Sequence, residues 1–305
     1  MTLQQLKYVI EVARSRSISQ AAQSLFISQP SLSNALKELE KELGITIFLR
    51  TNKGIIITAE GAEFLGYARQ VVEQAELLEN RYANTAAPQQ HFAVSTQHYA
   101  FAVSAFVRLL EEYDRDEYEF ALRETKTYEI IDDVQNLRSE IGILYVNEFN
   151  QKVIHKFLRE GNLEFYPLFD AKPHVFISSK NPLAKQDYVT LEDLHPYPYL
   201  SFEQGEYNSF YFSEEILSTL SRPKNIRVTD RATIFNLLIG LNGYTISTGV
   251  ISHELNDEDI VAVPLQVDET ITVGYILHKN VTTSPLANIY IQYLKETIEE
   301  ERGEL

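Results

Sequence analysis

Gln29, Ser31, Ser33, Asn34 and Lys37 crowd amide, hydroxyl and ammonium groups into one short stretch of the chain. An amide can pair bidentately with adenine, hydroxyls donate or accept, and an ammonium meets phosphate, so the set suits base edges and the DNA backbone. A second polar cluster, Arg50-Thr51-Asn52-Lys53-Gly54, reads as a hairpin tip. There Arg50, Asn52 and Lys53 can reach a phosphate or the minor groove.

Nothing comparable nominates a catalyst. His91, His98, His155, His174, His195, His253 and His278 are scattered, with no HxxxH pair, Walker loop or dinucleotide glycine pattern. Ser247 lies in TISTG, outside a GxSxG elbow, and Asp132-Asp133 read as solvated helix charge. The expectation is a protein that is not an enzyme and holds no metal or resident cofactor. The absence of cysteine excludes disulfides, thiolate metal sites and thiol redox sensing.

The elements that must hold the first polar set can be read from periodicity. Leu3, Leu6, Val9, Ile10 and Ala13 form one helical stripe ending near Arg16. A shorter helix follows, with Ser19 as its cap and Ala21, Ala22, Leu25 and Phe26 near its buried side. Ser28 caps a third helix, Pro30 fits its first turn, Leu32, Ala35, Leu36, Leu39 and Leu43 face inward, and Gly44 stops it. The polar set is left outward on this third helix. β-Branched runs at Ile45–Ile47 and Ile55–Thr58 flank the polar tip and read as a wing. The same trio could serve packing alone, with a merely solvated polar face. Thr58 opens a long helix through about Ala86, where Phe64, Ala68, Val71, Ala75 and Leu78 are spaced as a two-helix seam. A surface helix packed on its own domain is the alternative. Asn84 to Gln90, with Pro88, reads as a hinge.

Beyond His91, strands and helices alternate in an α/β order, which predicts a parallel sheet followed by a second α/β unit, including a helix from about Asn208 to Thr219. Charge divides the chain in the same way. The formal net charge is −16, yet the first ninety residues are neutral, so the whole excess lies in the distal part. An acidic body repels DNA nonspecifically and favours contact through one end. The N-terminal segment shows no export signal and no apolar run approaches the roughly 20 residues of a membrane span, so a cytoplasmic protein without membrane partners is expected.

The segment SISQAAQSLFISQPSLSNALKELEKELGITIFLRTNKGIIITAEG resembles the LysR-type transcriptional regulators. Ala21-Ala22, Ser28-Gln29-Pro30, Leu39-Glu40, Leu43-Gly44, Phe48, Arg50, Thr58 and Gly61 carry the resemblance in order. It implies an α/β fold with an N-terminal winged helix-turn-helix, a long linker helix and a two-lobed periplasmic-binding-protein-like effector domain. The implied divisions are 1–58 for DNA binding, 59–90 for linker, dimerisation and hinge, 91–162 with 268–305 for lobe I, and 163–267 for lobe II. It further implies DNA contacts by Gln29, Pro30, Ser31, Ser33, Asn34 and Lys37, with Arg50, Asn52 and Lys53 at the wing. Implied partners are double-stranded DNA at dyad-symmetric promoter sites, a second copy or three further copies of the chain, RNA polymerase, and a small-molecule effector such as a carboxylate or amino acid.

The effector is expected between the lobes. Ser95, Thr96 and Gln97 offer hydroxyls and backbone N–H groups at a helix start, and Thr125 and Thr127 hold the equivalent place after the next strand. Phe202, Glu203, Gln204 and Thr248 would face the same crevice from lobe II. Each could equally be a cap or turn former. A small-molecule-binding protein in the cytoplasm, without regulatory DNA binding, is the competing reading.

Overall fold

The computed structural model describes residues 1–51, 54–83, 90–114, 117–207, 209–251 and 259–303. Asn52, Lys53 and residues 84–89 of the hinge expected at 84–90 lie outside them, while Gln90 begins a strand. The chain divides into two compact units, Met1–Pro88 and Gln89–Leu305.

In the first unit, α1 (Leu3–Ser15), α2 (Ile18–Ser24) and α3 (Gln29–Leu43) pack through Val9, Val12, Ala21, Leu32, Leu36 and Leu39, all buried. Full burial of each such leucine stabilises the trio by about 2 kcal/mol. Ser17, not Ser19, caps α2, accepting from Gln20 N. Ser28 caps α3 by accepting from Ser31 N at 3.2 Å, and Gly44 closes α3 in the left-handed region at φ 70°. The wing strands are β1 (Phe48–Thr51) and β2 (Gly54–Ile57), paired antiparallel. Strand pairing begins at Phe48 rather than Ile45, and Ile47 N and Phe48 N donate to the Glu40 carboxylate at 2.7 and 3.0 Å.

The long helix α4 (Ala59–Ala83) departs from the expected seam. Leu65, Ala68 and Val72 turn inward, the last two against Leu6 of α1. Tyr67, Val71, Leu77 and Leu78 remain exposed. Heptad spacing alone could not separate the face used by α1 from the face left open.

In the second unit, β3 (Gln90–Thr96) runs parallel to β4 (Tyr118–Glu124) and to β5 (Ile141–Val146). Two further strands, β6 (Leu163–Ala171) and β12 (Ile271–His278), pair with each other and β12 with β5, all antiparallel. This first sheet has the order β4-β3-β5-β12-β6. It carries α5 (Ala100–Glu111), α6 (Thr127–Gln135), α7 (Gln151–Glu160) and α9 (Pro285–Gly303). The second sheet combines β7 (His174–Ser178), β8 (Tyr199–Phe202), β9 (Asn225–Val228), β10 (Tyr244–Ser247) and β11 (Ile260–Pro264) in the order β11-β7-β10-β8-β9, with α8 (Arg231–Leu241).

Both sheets are mixed rather than parallel. The chain leaves the first sheet through β6 and β7, returns through β11 and β12, and these crossing strands run against their neighbours. Leu163–Ala171 therefore lies in the first sheet, and the crossing falls between Ala171 and His174, later than the expected lobe boundary at 163. The helix expected to begin at 96 starts at Ala100, since Ser95 and Thr96 still pair with Arg123 and Glu124 in β4. No helix runs to Thr219 either. Short 3₁₀ turns at Gly205–Tyr207 and Phe210–Phe212 stand in that region, and Phe212, Glu215 and Ile216 are buried there. Asn208 is outside the described residues.

Candidate nucleic-acid interface and effector crevice

The first two turns of α3 expose Gln29, Pro30, Ser31 and Asn34, and Lys37 follows in the third, while Leu32 and Leu36 anchor the opposite side. A polar edge is thus fixed to a rigid core, as base readout requires. Ser33 is the exception. It is 8% exposed and its Oγ accepts a 2.7 Å hydrogen bond from Arg50 Nη2. Its place in the structure is beneath the guanidinium of β1, which it orients, rather than on the open edge.

The wing and α4 are tied to this edge by groups whose roles the motifs concealed. Glu40 gives both wing N–H groups an acceptor. Thr58 Oγ1 donates to Thr46 O at 2.5 Å and accepts from Gly61 N at 2.8 Å, joining the wing to the start of α4. Removing Glu40 leaves two partly buried N–H groups without acceptors, at about 1–3 kcal/mol each. Glu40→Ala is expected to lower the stability of the N-terminal unit by about 2–4 kcal/mol in denaturant unfolding, whereas a loss below about 0.5 kcal/mol would show that the wing is held otherwise.

In the second unit, β3, β4, β8 and the start of α8 converge on a crevice between the sheets. His98 Nδ1 lies 2.8 Å from Glu214 Oε2, and His98 N donates to the same oxygen at 3.1 Å. Their side chains are 5% and 7% exposed. The imidazole stacks on Phe202, with centroids 3.7 Å apart and planes at 4°. Gln204 links the sides: it accepts from Thr127 N at 3.2 Å and donates to Glu214 Oε1 at 3.3 Å. Arg231 of α8 pairs with Glu124 at the end of β4, 3.3 Å away. Glu215 Oε1 accepts from Phe202 N at 2.8 Å. Beside His98 the crevice opens into a small solvent-connected pocket with Phe176, Ile234, Phe235 and Val250 in its wall, together with Glu215 and Arg231.

Burial and charge shift three of these groups the same way. Burial alone lowers a histidine, but the charge and hydrogen bond of Glu214 outweigh it and raise His98 above 6.5. Desolvation raises Glu124 above 4.5 despite Arg231, and raises buried Glu215 to about 8.

These two constructions, a capped helix with a polar first turn beside a wing and a crevice between crossing sheets, have known counterparts. The description "Bacterial regulatory helix-turn-helix protein, lysR family" matches residues 3–62, and "LysR substrate binding domain" matches residues 92–299. The chain belongs to the LysR family of DNA-binding transcriptional regulators. YnfL of Escherichia coli K12, an uncharacterized HTH-type transcriptional regulator, is 27% identical over 224 residues, 72% of this chain and 71% of that protein. OxyR of the same strain, a DNA-binding transcriptional dual regulator, is 22% identical over 302 residues, 96% and 93% of the two chains. Among solved structures, a Corynebacterium glutamicum OxyR C206 mutant shares the fold with a TM-score of 0.56 at 18% identity, covering 99% of this chain and 94% of its own. CbnR, solved with its target DNA, has a TM-score of 0.52 at 19% identity over 97% and 100% of the chains.

In this LysR regulator the expected effector residues divide. Gln204 and Phe202 stand in the crevice. Ser95 donates instead to Asp133 at 2.6 Å and Thr96 to Gln97 O at 2.7 Å. Gln97 donates to Thr127 Oγ1 at 2.6 Å and accepts from Tyr99 and Tyr145 N, forming a buried brace behind the crevice. Thr125 donates to Glu129, Glu203 is exposed, and Thr248 accepts from Val250 N at 3.3 Å. His98, Glu214 and Arg231 are not among the expected residues, and Glu124 enters only as the first residue of the loop that holds Thr125 and Thr127. Their one sequence signal was an acidic pair, Glu214-Glu215, set in the apolar run FYFSEEIL. Among the described residues no group of three or more His, Asp or Glu is arranged to hold a metal, and no helix is long and apolar enough to cross a membrane.

Proposed function

We propose that this LysR regulator binds dyad-symmetric promoter DNA as a dimer or a dimer of dimers, and that a small molecule held between its α/β lobes sets its DNA affinity. Gln29, Pro30, Ser31, Asn34 and Lys37 enter the major groove, and Arg50, positioned by Ser33, takes a phosphate beside it together with Asn52 and Lys53. The carrying observation is the exposed polar first turn of α3 fixed over buried Leu32 and Leu36. The open α4 residues Tyr67, Val71 and Leu78 recur at four- and seven-residue spacing, a face for a partner α4. Fold likeness to CbnR, a protein solved with its target DNA, supports the reading. RNA polymerase is the further partner such a promoter complex would meet. A peroxide response through thiols is excluded by the lack of cysteine.

Fluorescence anisotropy on the region upstream of the gene tests this. Gln29→Ala is expected to cost about 1–3 kcal/mol on the preferred site, roughly 5- to 150-fold, and to relax preference at one base position. Arg50→Ala should weaken all sequences alike and flatten the salt dependence by about one phosphate contact. No sequence preference at moderate salt would overturn the operator reading, and one chain bound per dyad would overturn the dimer.

A further inference from the structure

The crevice already contains a carboxylate, supplied by the chain. Glu214 Oε2 takes the main-chain N–H and ring Nδ1 of His98, and Glu214 Oε1 takes Gln204 Nε2. This is how a bound acid's head group would be held: three donors, two oxygens, both ion-pair partners almost wholly buried. The pocket next to it has Phe176, Ile234, Phe235 and Val250 in its wall, with Arg231 and Thr245 among them, so the space beyond the head group is mainly but not wholly apolar.

The two halves of the pair are not equally fixed. His98 is clamped face to face on Phe202 and follows directly from β3. Glu214 lies on an irregular segment, just past the 3₁₀ turn at Phe210–Phe212. That segment is attached side chain by side chain: Tyr211 stacks on Phe149 at 4.7 Å, Phe212 enters the cluster around α6 and α7, and Tyr145 donates to Ser213 O at 3.0 Å. Glu215 reaches the other way, to Phe202 N of β8. Displacing Glu214 from His98 therefore loosens a strap that touches both lobes, while displacing His98 would break the end of β3.

We propose that Glu214 is a tethered ligand: its carboxylate occupies the head-group position of an apolar-bodied monocarboxylate effector, which binds by taking His98 from it and releasing the strap. This rests on reading the crevice as the effector site. Filling of the crevice from within explains why the helix starts expected to face an external anion are already partnered, Thr127 N by Gln204 and His98 N by Glu214.

Thermal unfolding of the full chain, without DNA, tests the proposal with sodium acetate and sodium phenylacetate as probes, and phenylacetamide and sodium chloride as controls. Glu214→Ala should unfold at a lower temperature than wild type. Acetate should raise it saturably, and phenylacetate should do so at concentrations at least tenfold lower than acetate in the variant and than phenylacetate in wild type. The amide and chloride should not, and the double variant with His98→Ala should lose the response. Equal responses in wild type and Glu214→Ala, or none in the variant, overturn the proposal and leave the pair a structural bridge. If Glu214→Ala does not fold, Glu214→Gln keeps the side-chain volume and loses the charge; it should bind phenylacetate more tightly than wild type, and equal affinity overturns the proposal. Failure here leaves DNA recognition untouched. A chain that binds phenylacetate with unchanged DNA affinity would overturn the effector reading alone.

Discussion

Gly61→Ala is expected to dismantle the DNA-binding unit, although alanine is the better helix former. A Cβ at Gly61 would lie 2.3 Å from Ile47 O and 3.0 Å from Ile47 C and Cα. Those are backbone atoms with little freedom to yield. Ile47 N is held by Glu40, Ile47 O accepts from Thr58 N at 3.1 Å, and the Ile47 side chain is fully buried. Relief requires separating α4 from the wing, against overpacking costs of about 3 kcal/mol. For a unit of this size that lowers Tm by roughly 15 °C, and operator affinity falls with the population of intact wings. Gly66, one and a half turns further along α4, is the control. Nothing lies within 4 Å of a Cβ there, so Gly66→Ala should be neutral or stabilise by about 1 kcal/mol. Circular dichroism of the two variants side by side decides the matter; a Gly61→Ala protein melting with or above Gly66→Ala would refute the close-approach argument.

The second large effect is a fall in stability of the effector unit as pH rises. Glu215 is 3% exposed and raised by burial to about 8, against an ordinary 4.5. Between those values the folded state keeps a proton that the unfolded chain has released, so unfolding is favoured increasingly with pH. Each pH unit across that span is worth about 1.4 kcal/mol. Raised His98 and Glu124 act with the same sign: their stabilisation is fully present below 6.5 and 4.5 and is lost as pH climbs through their raised values. Asp193 and Asp230 are lowered by hydrogen bonds from Thr190 and Thr233, so they matter only in acid, below their ordinary 3.8. Tm of this unit should drop by roughly 10 °C from pH 5.5 to 8.5. Glu215→Gln keeps an acceptor for Phe202 N, loses the ionisation, and should flatten most of that slope. Parallel pH profiles for wild type and variant would show that Glu215 does not carry the effect.

Local chemistry explains which features were legible in advance. The cap at Ser28, the stop at Gly44 and the leucine face of α3 depend on residues within a few positions of one another, so spacing sufficed. The Thr58 and Gly61 motif was visible, but its cause was not, since the atom that excludes a side chain at Gly61 belongs to Ile47. Ser33 had the right chemistry and the right helix for DNA; only Arg50, arriving from β1, shows that its buried hydroxyl accepts a hydrogen bond from within the unit. Ala68 fitted a dimer seam equally well until α1 claimed that face with Leu6.

The sequence by itself determined a capped, leucine-backed helix with a polar first turn, a wing, and an α/β order behind a neutral N-terminal end. These follow from periodicity and capping, which act between near neighbours. Only the tertiary structure decided that the crossing strands make both sheets mixed, that Ser95 and Gln97 brace the crevice from behind, and that His98 meets Glu214 across 116 residues of chain. The physical reason is the same in each case. A side chain's hydrogen-bonding capacity is met by distant groups that only the assembled fold brings to it, and burial makes those partnerships costly to leave unmade.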